Sequence, residues 1–518
     1  MNRREFLRSV GLGAAALAVP RGLWADVTVT IPTTTKRPNI VVILADDMGY
    51  SDLGCFGGEI QTPNIDRLAA GGLRFTQFYN CARCCPSRSA LLTGLYPHQA
   101  GVGDMLQDWK LPGYSTALND QCVTMAEVLR SAGYATAMSG KWHVGEKPGH
   151  TPKDRGFEHF TGLLGGAGSY FKPVPKPAPA DSLPTYITDT YTETALTYLD
   201  QMGKGTKPFL LYLAYTAPHW PLHALSADIA KYQGIYADGP RALAKRRWQR
   251  QVEMGLVNPD WPYHPDVLVP LHNGRPATVR TEKDTKDRRT DRPDEAMEMY
   301  AAQVDHLDQG VGRVVAKLKD LGTLDNTLIF FLSDNGACGE GWGYGDAWAT
   351  LSNTPFRRLK HWAHEGGIST PLIAHWPAMI RTGGKLNNAL GHITDIMPTV
   401  VELSGAKYPA APIQPLVGSS LAPLLRGGAR PDPEFLGWEH EGNRAVRAGK
   451  WKLVSAHDAR DQWELYDIET DRTENVNLAK KESERVKQLV TRYDEWAARI
   501  GVVPFDSIDK GAPKKSGE

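Results

Sequence analysis

Four apolar runs punctuate the chain, and each one stops at a cluster of polar residues. Residues 39–45 read Asn39-Ile40-Val41-Val42-Ile43-Leu44-Ala45, continuous and β-branched rather than alternating, the pattern of a strand buried on both faces. The run ends in Asp46-Asp47-Met48-Gly49. Residues 327–332 repeat the event and lead into Ser333-Asp334-Asn335-Gly336. Residues 134–138 lead to Gly140-Lys141-Trp142-His143, and residues 208–215 to Pro218-His219-Trp220-Pro221. Helical spacing fills stretches between them, at 64–70, 124–132 and 295–321. Strands alternating with helices predict an α/β fold: a large, mixed but mostly parallel sheet sandwiched by helices. Ligands in such sheets sit beyond the carboxyl ends of the strands, where these four runs deliver Asp, Lys, His and Asn.

The remaining pattern divides the chain. Residues 39–407 carry the strand ends and form the expected catalytic domain. Within it, residues 225–295 are charge-rich and read as a surface insertion beside the substrate mouth, with no apolar periodicity from 275 to 292. A Pro/Gly-rich linker at 408–433 precedes a smaller α+β domain at 434–505, and residues 506–518 form a tail. In that second domain residues 444–455 and 463–467 alternate as strands, and residues 475–500 have the spacing of an amphipathic helix.

Composition excludes little. The 518 residues hold 59 Lys and Arg against 58 Asp and Glu, without the basic excess of a nucleic-acid binder. The N-terminus reads as an address: Arg3-Arg4-Glu5-Phe6-Leu7 is a twin-arginine pattern, followed by a short apolar stretch and small residues up to Ala25. Cleavage there removes four Arg and one Glu and leaves 55 basic against 57 acidic side chains. Residues 26–38 then form a Thr/Pro-rich linker. No later run approaches membrane-spanning length. The expectation is a protein exported by the twin-arginine machinery, periplasmic or secreted, with no nucleic-acid partner and no stable membrane span.

The oxygen donors Asp46, Asp47, Asp334 and Asn335 suit Ca²⁺ or Mg²⁺ better than zinc, and a cation would relieve the repulsion between adjacent carboxylates. The densest chemistry is Asn80-Cys81-Ala82-Arg83-Cys84-Cys85-Pro86-Ser87-Arg88, continuing to Leu92-Thr93-Gly94. Pro86 fits the first turn of a helix and Gly94 its end, which puts Cys84 at a helix N-terminus beside Arg88, a setting that favours an anion. A zinc knuckle from Cys81 and Cys84 needs a second ligand pair, and Cys55, Cys122 and Cys338 are isolated. A disulfide from Cys81 or Cys85 to one of those three stays open.

Cys84-x-Pro86-Ser87-Arg88-x-x-x-Leu92-Thr93-Gly94 resembles the signature of the type I, formylglycine-dependent sulfatases of the alkaline phosphatase superfamily, and of bacterial arylsulfatases most of all. Other segments join the resemblance in order: 62–66, 140–143, 217–221, and 353–360 running to His364-Glu365-Gly366-Gly367. It implies an alkaline phosphatase-like fold and hydrolysis of a small-molecule or glycan sulfate ester. It implies one Ca²⁺ ion bound by Asp46, Asp47, Asp334, Asn335 and the modified Cys84. Cys84 would be converted to formylglycine by a formylglycine-generating enzyme or an anaerobic sulfatase-maturating enzyme. The catalytic set it implies is Cys84 as nucleophile, Arg88 as its stabiliser, Lys141 and Lys360 on the sulfate, His143 and His219 as proton carriers, and Asp334 as general base. Two other expectations compete. One is a phosphonate monoester or phosphodiester hydrolase of the same superfamily; the other is a calcium-dependent binding protein with unmodified Cys84. No role is read from His361-Trp362 or the basic stretch 244–250.

Overall fold

The computed structural model describes residues 36–105, 107–172, 186–268, 276–459 and 462–509. The expected export signal, most of the first linker and the end of the tail lie outside the described residues. Among these, the main sheet has eight strands: β1 (Asn39–Ala45), β2 (Leu73–Phe75), β3 (Ala135–Gly140), β4 (His159–Thr161), β5 (Phe209–Ala214), β6 (Thr327–Ser333), β7 (Leu372–His375) and β8 (Lys385–Asn387). Their spatial order is β8-β2-β7-β6-β1-β5-β3-β4. The five strands β1, β3, β4, β5 and β6 run parallel, and β7 alone opposes its neighbours. The α/β expectation of a mixed, mostly parallel sheet therefore holds.

The continuous apolar runs are explained by two-sided burial. Val41, Ile43 and Ala45 of β1 face one core, together with Leu211, Leu213, Ile329 and Phe331. Ile40, Val42 and Leu44 face the other, with Leu210, Tyr212, Leu328 and Phe330. The helices Ile187–Gly203 and Pro293–Asp320 cover the first face. The helices Cys84–Thr93, Met125–Ser131 and Ile396–Ser404 cover the second. Neither face can carry polar residues, so the polar groups of these strands collect at their ends.

The stretch 225–295 is more regular than its sequence predicts. It forms the helix Gly239–Glu253 and two short strands, Ala277–Arg280 and Arg288–Thr290. With four and three residues, these strands are too short to register as periodicity, yet Ala277 and Val279 are buried. Arg247, in the basic stretch without an expected role, is fully buried and pairs with Asp52 at 2.9 Å and Glu59 at 2.7 Å.

A second, antiparallel sheet follows: β9 (Leu436–His440), β10 (Asn443–Ala448), β11 (Trp451–Ser455) and β12 (Trp463–Asp467). One face packs on the helix Ser483–Ile500 through Leu489, Tyr493 and Trp496. The other packs on Tyr79, Ala82 and Ile368 of the main body through Trp438, Ala445 and Val454. Lys452 from β11 crosses this boundary, with Nζ 2.8 Å from both Glu365 Oε1 and Glu474 Oε1. Burial alone would raise the Glu365 carboxyl, but Lys452, Arg472 and Arg447 hold it well below the usual range. Lys452→Met should therefore lower the unfolding free energy by about 3–5 kcal/mol, the cost of removing one partner from a buried ion pair. The midpoint of a urea titration measures it; a loss under about 1 kcal/mol would contradict this account.

Candidate active site

The sequence after each parallel strand turns sharply at the carboxyl edge. Two of these turns rest on close backbone approaches: a Cβ on Gly336 would lie 1.8 Å from Gly366 O, and one on Gly140 1.9 Å from Ala214 O. Asp47 and His143 adopt left-handed backbones, φ 67° and 60°, which few non-glycine residues do. Here β1, β6, β3 and β5 bring their terminal residues together.

Three carboxylates and three cations interlock there, all buried. Arg88 holds Asp334 Oδ2 through Nε at 3.0 Å and a terminal nitrogen at 2.8 Å, and donates to Lys141 O at 2.8 Å. Lys141 Nζ lies 2.6 Å from Asp46 Oδ2, and Lys360 Nζ 2.6 Å from Asp47 Oδ1. Asn335 Nδ2 also donates to Asp47 Oδ1, at 2.7 Å. Burial opposes ionisation of Asp47, yet Lys360 and His219 pull its pKa well down. Burial and the Asp46 charge push Asp334 well up, against the pull of Arg88.

The donor inventory is incomplete in a telling way. Asp46 Oδ1, Asp47 Oδ2 and Asn335 Oδ1 are buried with no hydrogen-bond partner. Three orphaned oxygens among carboxylate and amide ligands fit a hard cation, which would satisfy all of them at once. Arg88, Lys141 and Lys360 already neutralise Asp46, Asp47 and Asp334, so an added divalent ion would leave the site with a net charge near +2. That is a setting for an anionic ester.

Cys84 opens the helix Cys84–Thr93, and Gly94 closes it in the left-handed conformation, φ 71°. A hydrogen bond from Cys85 lowers the Cys84 pKa far below the ordinary thiol value; burial opposes this, and Lys141, His143 and Lys360 add to it. Burial raises the other five thiols. All six cysteines are free. Cys81 turns to His392 Nε2 at 3.8 Å and Cys84 to Met105 Sδ at 3.7 Å, so the zinc-knuckle pair does not converge.

Two histidines flank the site. His219 Nδ1 lies 2.6 Å from the Trp220 carbonyl, an acceptor only, which assigns the Nδ1 proton and leaves Nε2 as the nitrogen that titrates. That Nε2 is 3.5 Å from Asp47 Oδ2. The His143 ring lies beside Cys84, with Nδ1 buried and unpartnered. Burial lowers the pKa of both rings. The ten residues expected to be catalytic or metal-binding thus lie together at this edge, whereas Cys55, Cys81 and Cys122 do not join them. Cys84, His143, His219 and Lys360 open onto a cleft of about 1310 Å³.

Sequence reasoning missed the cleft wall. One terminal nitrogen of Arg83 donates to both oxygens of Glu340, at 2.7 and 2.6 Å. Glu441, from the turn between β9 and β10, and Trp220, Trp342 and Met105 line the same space. Glu340 lies six residues beyond Asp334 in a glycine-rich loop, and no spacing rule links it to Arg83.

A mostly parallel sheet that gathers orphaned oxygens, lysines and a polarised thiol at one edge suits an α/β-class enzyme acting on anionic esters. Residues 38–406 match the Sulfatase family, and residues 358–497 match the C-terminal part of N-sulphoglucosamine sulphohydrolase. The chain is 35% identical to an uncharacterized sulfatase of Schizosaccharomyces pombe, over 90% of this chain and 95% of the relative. It is 34% identical to an arylsulfatase of Klebsiella aerogenes, over 75% of this chain and 92% of the relative. Among solved structures, Ps i-CgsB in complex with k-i-k-neocarrahexaose aligns with a TM-score of 0.69 at 28% identity, covering 89% of this chain and 93% of that one. The chain belongs to the sulfatase family and is a sulfuric ester hydrolase.

In metal-free protein whose Cys84 is still a thiol, brief exposure to iodoacetamide near neutral pH should alkylate Cys84 ahead of the other five cysteines. Peptide mass spectrometry reads the order. Equal or faster labelling of Cys55, the most exposed of the six, would contradict the electrostatics described.

Proposed function

We propose that this enzyme hydrolyses organic sulfate monoesters, arylsulfatase-like, through formylglycine made from Cys84 and with one Ca²⁺ ion held by Asp46, Asp47, Asp334 and Asn335. The observation that carries the reading is the set of three orphaned oxygens, Asp46 Oδ1, Asp47 Oδ2 and Asn335 Oδ1, beside a helix that opens with Cys84. When present, the hydrated aldehyde supplies a hydroxyl nucleophile and the ion supplies fixed positive charge.

The chain's own groups do the rest. Lys141 and Lys360 hold the sulfate oxygens, and their charge offsets the density that builds as the ester S–O bond breaks. Arg88 braces the nucleophile's surroundings while fixing Asp334, which is the general base. His219, its Nδ1 proton pinned to the Trp220 carbonyl, delivers the Nε2 proton to the departing oxygen. His143 takes the proton released when the Cys84-derived group lets sulfate go. Water supplies the elements of the hydrolysis, giving an alcohol and hydrogen sulfate. A formylglycine-generating or anaerobic maturating enzyme would act on Cys84, and the twin-arginine machinery would carry the chain to the periplasm or beyond. No described helix is long and apolar enough to cross a membrane.

Protein from the native host should carry an aldehyde mass at Cys84 in peptide mass spectrometry; a thiol there throughout would overturn the catalytic reading. Cys84→Ala should abolish turnover of an aryl sulfate, and Lys141→Ala should lower kcat by roughly 10²–10³-fold. A kcat/KM higher for an aryl phosphodiester than for the aryl sulfate would reassign the substrate. Calcium at a hundredfold its Kd should stabilise the fold by about 2.7 kcal/mol. Asn335→Leu should cancel that rise in melting temperature, and an undiminished rise would remove the ion from this site.

A further inference from the structure

The sulfate end of the cleft is rich in cations, but its outer wall is not. Arg83 is the cation next to Cys84 in sequence, and it is already engaged by both oxygens of Glu340. Glu441 adds a second carboxylate to the field around Arg83. It faces His361, whose Nδ1 is 3.1 Å from its Oε2. Asn443 fixes that ring: its Nδ2 is 3.0 Å from His361 Nε2, while its Oδ1 accepts from His457 N at 3.2 Å. His361 Nε2 is then an acceptor, which places the ring proton on Nδ1. Arg83, Glu340 and Glu441 together carry one net negative charge where the leaving group must lie. Further out, Asp120 and Glu146 outnumber Lys147, while Asp108 is paired with Lys110. The apolar surface between is Met105, Trp220 and Trp342, the last with the Arg289 guanidinium 4.2 Å from the centre of its ring.

We propose that Glu340 and Glu441 are specificity determinants that exclude a second anion, so the enzyme acts on monosulfates whose alcohol is neutral or cationic and presents an apolar or aromatic face. This rests on the sulfatase reading of the same site. A second sulfate or a carboxylate on the leaving group meets the Glu340 and Glu441 charges, while the charge of Arg83 is already matched by Glu340 through one terminal nitrogen. A neutral ring instead lies against the tryptophans.

The test uses full-length, aldehyde-bearing enzyme and three substrates: phenyl sulfate, 4-carboxyphenyl sulfate and 4-(trimethylammonio)phenyl sulfate. Intrinsic reactivity cancels when each ratio of kcat/KM to that of phenyl sulfate is followed across conditions. Raising the salt from low ionic strength should raise the carboxyphenyl ratio and lower the trimethylammonio ratio, since screening weakens both effects. Glu340→Gln, which also frees Arg83, should raise the carboxyphenyl ratio roughly tenfold, as for removal of one like-charge contact. Glu441→Gln should raise it in the same direction. Ratios flat in salt, or a carboxyphenyl ratio that falls with salt, would overturn the proposal even if the glutamate variants fold poorly. Folded glutamate variants with unchanged ratios would also overturn it. Turnover of none of the three by enzyme shown to hold the aldehyde would overturn the sulfatase reading and this proposal with it.

Discussion

Charge balance at the carboxyl edge of the sheet governs this molecule. Asp46, Asp47 and Asp334 are stripped of water, which no carboxylate tolerates without compensation. Arg88, Lys141 and Lys360 compensate them one for one, each from a different part of the chain. The apolar strands behind the edge cannot share the load, because both of their faces are committed to hydrophobic packing. Function follows from what this pairing leaves undone: oxygens still lacking a partner and a balance that any added cation tips positive.

The second sheet belongs to the same electrostatic design. Lys360 lies on a loop whose next residue, His361, donates its N–H to Ala82 O at 2.8 Å, tying it to the Cys84 segment. Trp438 of β9 donates to Asn80 O at 2.8 Å on the other side of that segment. Glu365, four residues past His361, is gripped by Lys452 and Arg472 from the C-terminal part of the chain. The smaller sheet thus braces the strip carrying Cys84 from behind, and its β9–β10 turn puts Glu441 on the cleft wall.

Much of this was legible in sequence because strand burial writes itself locally. A run such as 39–45 declares two buried faces, and its abrupt polar end declares an edge. The helix starting at Cys84 was legible from Pro86 and Gly94. What stayed hidden depends on partners far away in sequence. Arg247 looks like one more charge in a solvated basic stretch until Asp52 and Glu59 meet it. Arg83 and Glu340 are 257 positions apart. The strands at 277–280 and 288–290 span too few repeats of a two-residue period for alternation to stand out.

Every residue of the Cys84–Thr93 helix is buried, from its first turn to its last. Only a side-chain tip at its opening end borders the cleft, so a catalyst that must grip this segment as an extended peptide finds nothing to hold once the sheet has closed. If the conversion proposed for Cys84 needs the segment extended, it would be in a race with folding. Slower burial of this one helix would then favour a larger active fraction, and yield of working enzyme would be a kinetic property of the folding chain as well as a chemical property of its site.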